Sequence, residues 1–309
     1  MSTAPRLRFL KGHGTENDFV IVPDLDGHLE LSASAVARIC DRRAGVGGDG
    51  LIRVVRASAH PEARAMAAEA EWFMDYRNSD GSIAEMCGNG VRVFARYLQR
   101  AGLTEEGDLT IATRAGLRHI HIAKATGEPG GAPEDGADGG AITVGMGKAV
   151  LPEPGPDGGI TVAVGDLTWS ARNVNMGNPH AVAFVDDLDQ AGDLFTAPAV
   201  HPASAYPDGT NVEFVVDRGP RHVAMRVHER GSGETRSCGT GACAVMVAAA
   251  RRDGADPGLT GRPVTYTVDV PGGRLVISER PDGTVEMTGP AVIVAEGELD
   301  PVWLDTALV

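Results

Sequence analysis

The chain predicts an α+β fold of two pseudo-symmetric lobes, each a curled β-sheet around a central helix, and three observations lead there. Cys87-Gly88-Asn89-Gly90 and Cys238-Gly239-Thr240-Gly241 each open into a helical pattern, so one unit occurs twice. The rest of the chain reads as short alternating strands separated by turn residues. The strict strand–helix alternation of a doubly wound fold is missing, so helices this apolar are best buried by strands curling around them.

In chain order, Leu7 and Phe9 alternate with arginines, GHGTEND interrupts, and FVIVPD resumes: strand, loop, strand, with Asn17 on the loop. Ser34 to Arg43 reads as a short helix. The glycine-rich AGVGGDG lacks both a G-K-[ST] ending and G-x-G-x-x-G spacing, so it reads as a turn into the strand LIRVVRA rather than a phosphate cradle. Glu71 to Arg77 alternates as a strand and delivers Asn78 into a turn before Cys87. In the first long helix Val91, Phe94, Tyr97, Leu98 and Ala101 recur at helical spacing, and Gly102 marks its end. LTIATRAG and LRHIHIA form a hairpin-like pair. Residues 125–140, nearly all Gly, Pro, Asp, Glu and Ala, read as a flexible surface loop where one lobe hands over to the next.

The second half repeats the scheme. AITVGM, ITVAVG, LTWSARNVN and AVAFVDD are strands, and Met176-Gly177-Asn178-Pro179-His180 is a turn with a polar tip. A proline-rich stretch holding a short helix at most leads to NVEFVVD and HVAMRVHER, strands that carry Asn211 and the pair Glu229-Arg230. The second long helix follows Cys238, with Arg251 and Arg252 in its last turn, where the dipole favours cations, and Gly254 beyond. VTYTVDV, RLVISE and VEMTGPAVIVAEGE are strands again.

At 309 residues the chain suffices for two ordinary domains, and its net charge of −14 argues against nucleic-acid or anionic-membrane partners, which call for a basic face. No stretch has the apolar length of a membrane span and the N-terminal segment has no apolar signal core, so a cytoplasmic location is expected. The four cysteines, Cys40, Cys87, Cys238 and Cys243, are expected as reduced thiols. No C-x-x-C pair points to a metal, and none is expected. Cys40 and Cys243 read as core.

A cysteine at a helix N-terminus sits among N–H groups at the positive end of the dipole, which favours its thiolate. Two such thiols suggest a paired acid and base. The alternative is two small buried apolar residues, the commonest fate of such cysteines, but nothing in core packing asks for Gly-x-Gly after each.

GHGTENDF, NSDGSIAEMCGNG, NMGNPH, TNVEF, HERGSGETRSCGTGA, PGGRL and MTGPA, in that order, resemble the diaminopimelate epimerase family over nearly the whole chain. The resemblance implies a cofactor-independent inversion of LL-2,6-diaminopimelate to the meso form, a step toward lysine and peptidoglycan precursors. It implies that the last strand returns to the first lobe, giving lobes of 1–143 plus 290–309 and of 144–289. It also implies a small-molecule substrate and, as is common among such proteins, a homodimer.

Inversion without a cofactor needs a base on one face of the α-carbon and an acid on the other, roles that Cys87 and Cys238 suit. By resemblance, His180 and Glu229 accept or relay protons at the thiols, one beside each cysteine. Asn17, Asn78, Asn178, Asn211 and Arg230 bind substrate, while Gly88, Asn89, Gly239 and Thr240 offer backbone N–H groups to the α-carboxylate. Glu229 counts as a substrate contact as well. Gly50 stands where some members carry a contacting glutamine, so it is left out of the site. Two other readings compete. A proline racemase or hydroxyproline epimerase resembles M-C-G-H-G at the first thiol, where Asn89 stands here, and a redox switch in a binding protein would pair the two thiols as a disulfide.

Overall fold

The computed structural model describes residues 7–124, 140–152 and 159–308. The chain divides into two compact units, Met1–Val144 with Pro290–Val309, and Gly145–Gly289.

The first unit contains β1 (Arg8–Gly14), β2 (Asn17–Pro23), α1 (Ala33–Cys40), β3 (Gly50–Arg56), β4 (Trp72–Asn78), α2 (Gly88–Arg100), β5 (Gly107–Thr113), β6 (Gly116–Ile122) and the start of β7 (Ile142–Lys148). The second contains β8 (Ile160–Val164), β9 (Leu167–Asn175), β10 (Pro179–Phe184), β11 (Ala199–His201), β12 (Asn211–Gly219), β13 (His222–Glu229), β14 (Gly233–Glu234), α3 (Gly239–Arg252), the single turn α4 (Pro257–Thr260), β15 (Val264–Val270), β16 (Gly273–Glu279) and β17 (Thr284–Gly289). The chain then returns to the first unit with β18 (Val292–Glu298) and α5 (Pro301–Leu308).

The two units share one pairing scheme. From β1 to β7 the successive pairs run antiparallel, parallel, antiparallel, parallel, antiparallel, antiparallel. Through β9, β10, β12, β13, β15, β16 and β17 the same order recurs. In both, the long helix is the crossover between the second parallel pair, β4 to β5 around α2 and β13 to β15 around α3. A parallel pair cannot be joined by a hairpin, so the helix that makes the crossover lies against its own sheet.

Both helices are buried on nearly every side. Residues Gly88 to Leu98 of α2 and all but Thr240 and the last two arginines of α3 are shielded from solvent. The alanines of α3 keep it thin enough for strands to close around it. In α2 the buried Arg92 and Arg96 donate from Nε to Pro290 O at 3.1 Å and Ala291 O at 3.2 Å, which anchors the returning strand. The helices also end alike. Gly102 and Gly254 turn to positive φ, and the next residues donate back five positions, Leu103 N to Leu98 O and Ala255 N to Ala250 O.

Several local expectations are corrected. The GHGTEND loop shrinks to Thr15 and Glu16, both at positive φ in a two-residue hairpin turn, so Asn17 opens β2 rather than riding on a loop. His180 likewise lies inside β10, not in a turn. The helix expected over Ser34 to Arg43 stops at Cys40, because Asp41 Oδ1 accepts from Arg43 N and Ala44 N and turns the chain. The proline-rich stretch contains β11, paired with β8. The expected loop at 125–140 lies, apart from Gly140, outside the described residues.

Candidate functional site

Each unit carries its own set of the expected residues, placed by equivalent elements. Cys87 is the N-cap of α2 and Cys238 the N-cap of α3, both with extended backbone before the first helical turn. Gly88 and Asn89, and Gly239 and Thr240, form those first turns, where N–H groups have no carbonyl one turn earlier in the helix. Asn17 opens β2 and Asn78 closes β4; His180 lies at the start of β10 and Glu229 closes β13.

In the first unit Cys87, half-buried, donates from Sγ to Asn17 Oδ1 at 3.4 Å. Asn89 Nδ2 donates to the same oxygen at 3.2 Å. The orientation of this amide is set from behind, since Asn17 Nδ2 donates to Asp49 Oδ2 at 2.7 Å. Asp49 is held in turn by the backbone of Asp18 and by Arg42 Nη2. Burial, then the neighbouring Asp18 charge, push the Asp49 carboxyl above its usual range. Burial acts on Asp18 too, but Arg42 and Lys11 outweigh it and hold that carboxyl well below the usual range. Asn78 donates from Nδ2 to Ser82 Oγ at 3.0 Å, so its side chain is engaged within its own turn. Gly50, paired with Asn78 across β3 and β4, admits no side chain here, because a Cβ would fall 2.5 Å from Arg77 O.

In the second unit Cys238 is 4% exposed. Its sulfur accepts from Gly241 N at 3.4 Å and lies 3.6 Å from Thr240 Oγ1. Burial first, then the charges of Glu229 and Glu213, push this thiol well above its ordinary value. Burial also raises the Glu229 carboxyl, against hydrogen bonds from Thr235 and Cys238 that favour its ionised form. His180 is fully buried, with Nδ1 2.6 Å from Glu213 Oε1 and Nε2 3.0 Å from Asn178 Oδ1. Asn211 ties three strands: it pairs with His180 in parallel register, donates to Pro179 O at 3.1 Å and accepts from Arg230 N at 2.9 Å. Arg230 Nη1 donates to Asp208 O, and its side chain lines a cavity of about 280 Å³ with Tyr206, Thr210, Val212 and His228.

The expected residues thus gather into two groups. Cys87, Asn17 and Asn89 touch one another in the first unit, with Asn78 at the end of a neighbouring strand. Cys238, Glu229, Thr240, Asn178, His180, Asn211 and Arg230 are linked in the second. Cys40 and Cys243 are buried in the core, and burial drives the Cys40 thiol up to about 12. Sequence reasoning missed Glu213 and Asp49, the carboxylates behind His180 and Asn17. A signal for Glu213 existed: in Asn211-Val-Glu-Phe the two polar residues are two apart, hence on one face of a strand.

A protein-family model described as diaminopimelate epimerase matches residues 9–151 and 172–294. A diaminopimelate epimerase from Streptomyces coelicolor is 70% identical over 308 residues, covering 100% of both chains. One from Thermobifida fusca is 46% identical, over 95% of this chain and 98% of the relative. Among solved structures, a phenazine biosynthesis protein from Bacillus anthracis aligns with TM-score 0.69 at 19% identity, over 96% of this chain and 99% of that one. A hydroxyproline epimerase from Agrobacterium vitis, solved with bound trans-4-hydroxy-L-proline, aligns with TM-score 0.64 at 15% identity, over 98% of this chain and 96% of that one. At such identities these two structures speak to the fold.

Proposed function

Because the chain belongs to the diaminopimelate epimerase family, an amino-acid epimerase family, we propose that it interconverts LL- and meso-2,6-diaminopimelate with Cys87 and Cys238 as a two-base pair. The observation that carries this reading is the repeated placement of a cysteine as N-cap of a buried helix, before Gly-x-Gly, in two units of the same strand scheme.

The α-hydrogen of an amino acid is a very weak acid, so one sulfur, as thiolate, removes it while the other, as thiol, delivers a proton to the opposite face. The sulfurs end each turnover with exchanged roles. Carbanion charge spreads into the α-carboxylate, which the first turns of α2 and α3 would receive through the N–H groups of Gly88, Asn89, Gly239 and Thr240. His180 and Glu229 accept or relay protons at the thiols, Glu229 from beside Cys238. Asn17, Asn78, Asn178 and Asn211 serve the ammonium and carboxylate groups without adding charge, and Arg230 offers a carboxylate its planar fork. Glu229 serves as a substrate contact as well. No pyridoxal phosphate is required, because the two thiols and the oriented N–H groups supply the proton transfers and the charge stabilisation. This places the reaction in lysine and peptidoglycan precursor synthesis, in the cytoplasm, with the chain acting as a homodimer; sedimentation analysis tests the last.

The deciding experiment incubates the protein with LL-diaminopimelate in deuterated water and follows α-deuterium incorporation together with the appearance of the meso isomer. Cys87→Ser and Cys238→Ser are each expected to lose at least about 10²-fold in turnover with the fold retained, the scale of losing a positioned acid or base. Absence of exchange in the unaltered protein rejects the substrate, and near-parental rates in both serine variants reject the thiol pair.

A further inference from the structure

The turn between β1 and β2 is held in a conformation that its own residues disfavour. Thr15 and Glu16 stand at φ of 50° and 60°, the left-handed region that such a two-residue hairpin turn demands and that Asn-Gly adopts readily. A β-branched residue there is a true outlier, so the surroundings must hold it.

The holding group comes from α2. Arg92, 0% exposed, donates from Nη2 to Oγ1 of Thr15, itself 2% exposed, at 3.2 Å. That hydroxyl donates in turn to Gly14 O at 2.7 Å, and Arg92 Nε is fixed on Pro290 O at 3.1 Å. A buried guanidinium needs oxygen acceptors for its N–H groups, and the threonine hydroxyl is one that glycine at this place would lack. The approach is close: a Cβ on Gly14 would fall 2.9 Å from Arg92 Nη2 and 3.1 Å from Asn89 O.

The same helix grips the residue that follows the turn. Gly14 and Asn17 are the closing pair of the hairpin, so the turn decides where the Asn17 backbone lies. Asn17 Oδ1 accepts from Cys87 Sγ at 3.4 Å and from Asn89 Nδ2 at 3.2 Å. Helix α2 thus meets the hairpin at two points, Arg92 on Thr15 and its cysteine end on Asn17. Without the first, the hairpin could pivot about the second.

We propose that Thr15, clamped by Arg92, is a positioning residue for Cys87. The clamp fixes the Asn17 amide oxygen against the sulfur, and so sets how firmly the thiol keeps its proton. Asp49 orients the Asn17 amide, whereas Thr15 places the backbone that carries it. This rests on the two-thiol reading above and extends it to a residue which that reading does not use.

Thr15→Gly tests the clamp, because it removes the hydroxyl and relieves the positive φ together, separating placement from strain. In the resting protein, without substrate, alkylation at pH 7 is followed by mass spectrometry of the Cys87 and Cys238 peptides. Losing an acceptor of the thiol proton favours the thiolate. Cys87 in Thr15→Gly is therefore expected to react about 2–10-fold faster, the scale of one hydrogen bond, with Cys238 unchanged. Thr15→Ser keeps the hydroxyl and is expected to match the parent. In an Asn17→Ala background, Thr15→Gly is expected to add nothing further. An unchanged Cys87, an equal rise at both cysteines, or a rise that persists without Asn17 overturns the proposal. Thr15→Val, which keeps the β-branch and loses the hydroxyl, gives the same comparison should the glycine variant fail to fold. In turnover, Thr15→Gly is expected to lose about tenfold in kcat/KM, recovered in Thr15→Ser; parental turnover in the glycine variant counts against the clamp. Since alkylation needs no substrate, a protein inactive on diaminopimelate would reject the proposed function while leaving this test intact.

Discussion

A Cβ at Gly241 would fall 2.8 Å from Glu213 Oε1 and 3.2 Å from Cys238 Sγ. The second glycine of the Gly-x-Gly turn is therefore a gap through which a buried carboxylate and a sulfur share the first turn of α3. Glu213 is tied to His180 and has nowhere to retreat, so Gly241→Ala is expected to displace both groups. The cost in stability should be about 1–3 kcal/mol, as for other overpacked sites, with turnover falling about tenfold or more. Urea unfolding and steady-state kinetics measure the two effects, and a variant with parental kinetics would mean that the contact is easily relieved.

Asp49 is expected to govern Cys87 through Asn17. Its carboxylate holds the amide nitrogen, leaving the amide oxygen to accept from the thiol. In Asp49→Ala only the Asn89 Nδ2 contact still holds the amide oxygen in place, and a turned amide would present an N–H to the sulfur, which stabilises the thiolate. Alkylation of Cys87 at pH 7, followed by mass spectrometry of its peptide, should accelerate about tenfold, the scale of a hydrogen bond to a charged group. An unchanged rate would show that something other than Asp49 orients the amide.

Glu229 is expected to trade stability for function. Burial raises its carboxyl in the folded chain, so the folded state holds a proton where the unfolded chain has released it. The resulting penalty is absent below the unfolded value of about 4.3 and appears as pH rises through the folded value. Glu229→Gln should thus be more stable than the parent at pH 8 by about 1 kcal/mol, equal to it near pH 4, and much less active. Thermal melts across that range check the sign.

The buried Asp75 works in the opposite direction. Its carboxylate meets Arg53 Nε at 2.9 Å and Arg114 Nη2 at 2.7 Å, with Arg77 at 3.5 Å. Burial opposes its ionisation, but Arg114 and then the other arginines outweigh it and hold the carboxyl below its usual value. The stabilisation is therefore complete above about pH 4 and is lost as pH falls through the lower, folded value. Asp75→Ala leaves two largely buried guanidinium groups without this partner and should cost about 3–5 kcal/mol at pH 7, read by denaturant unfolding of the whole chain.

Much of the architecture was legible because it rests on local pattern. The spacing of Val91, Phe94 and Leu98, the glycines at 102 and 254, and the doubled cysteine turn all express short-range physics, and the two helices and most strands follow from them. Asn17 and His180 were misread for one shared reason. A run of Gly, Asn, His and Pro signals a turn when its polar groups face water, whereas here these side chains enter strands and are satisfied by carboxylates distant in sequence, Asp49 and Glu213. Register decides such meetings: the parallel pairing of β10 with β12, which sets His180 beside Asn211, is invisible until both strands are in place. The two carboxylates went unnoticed because each works from behind another side chain.

The pairing of β1 with β18 joins Arg8 to Glu298 across almost the whole length of the chain. During synthesis the opening strands must wait for the closing one, while Gly145–Gly289 emerges as a single uninterrupted piece. The later half thus has all its own strands before the earlier half has its last neighbour, so a truncation that removes only the final strand would spare the region around Cys238 and strand the one around Cys87.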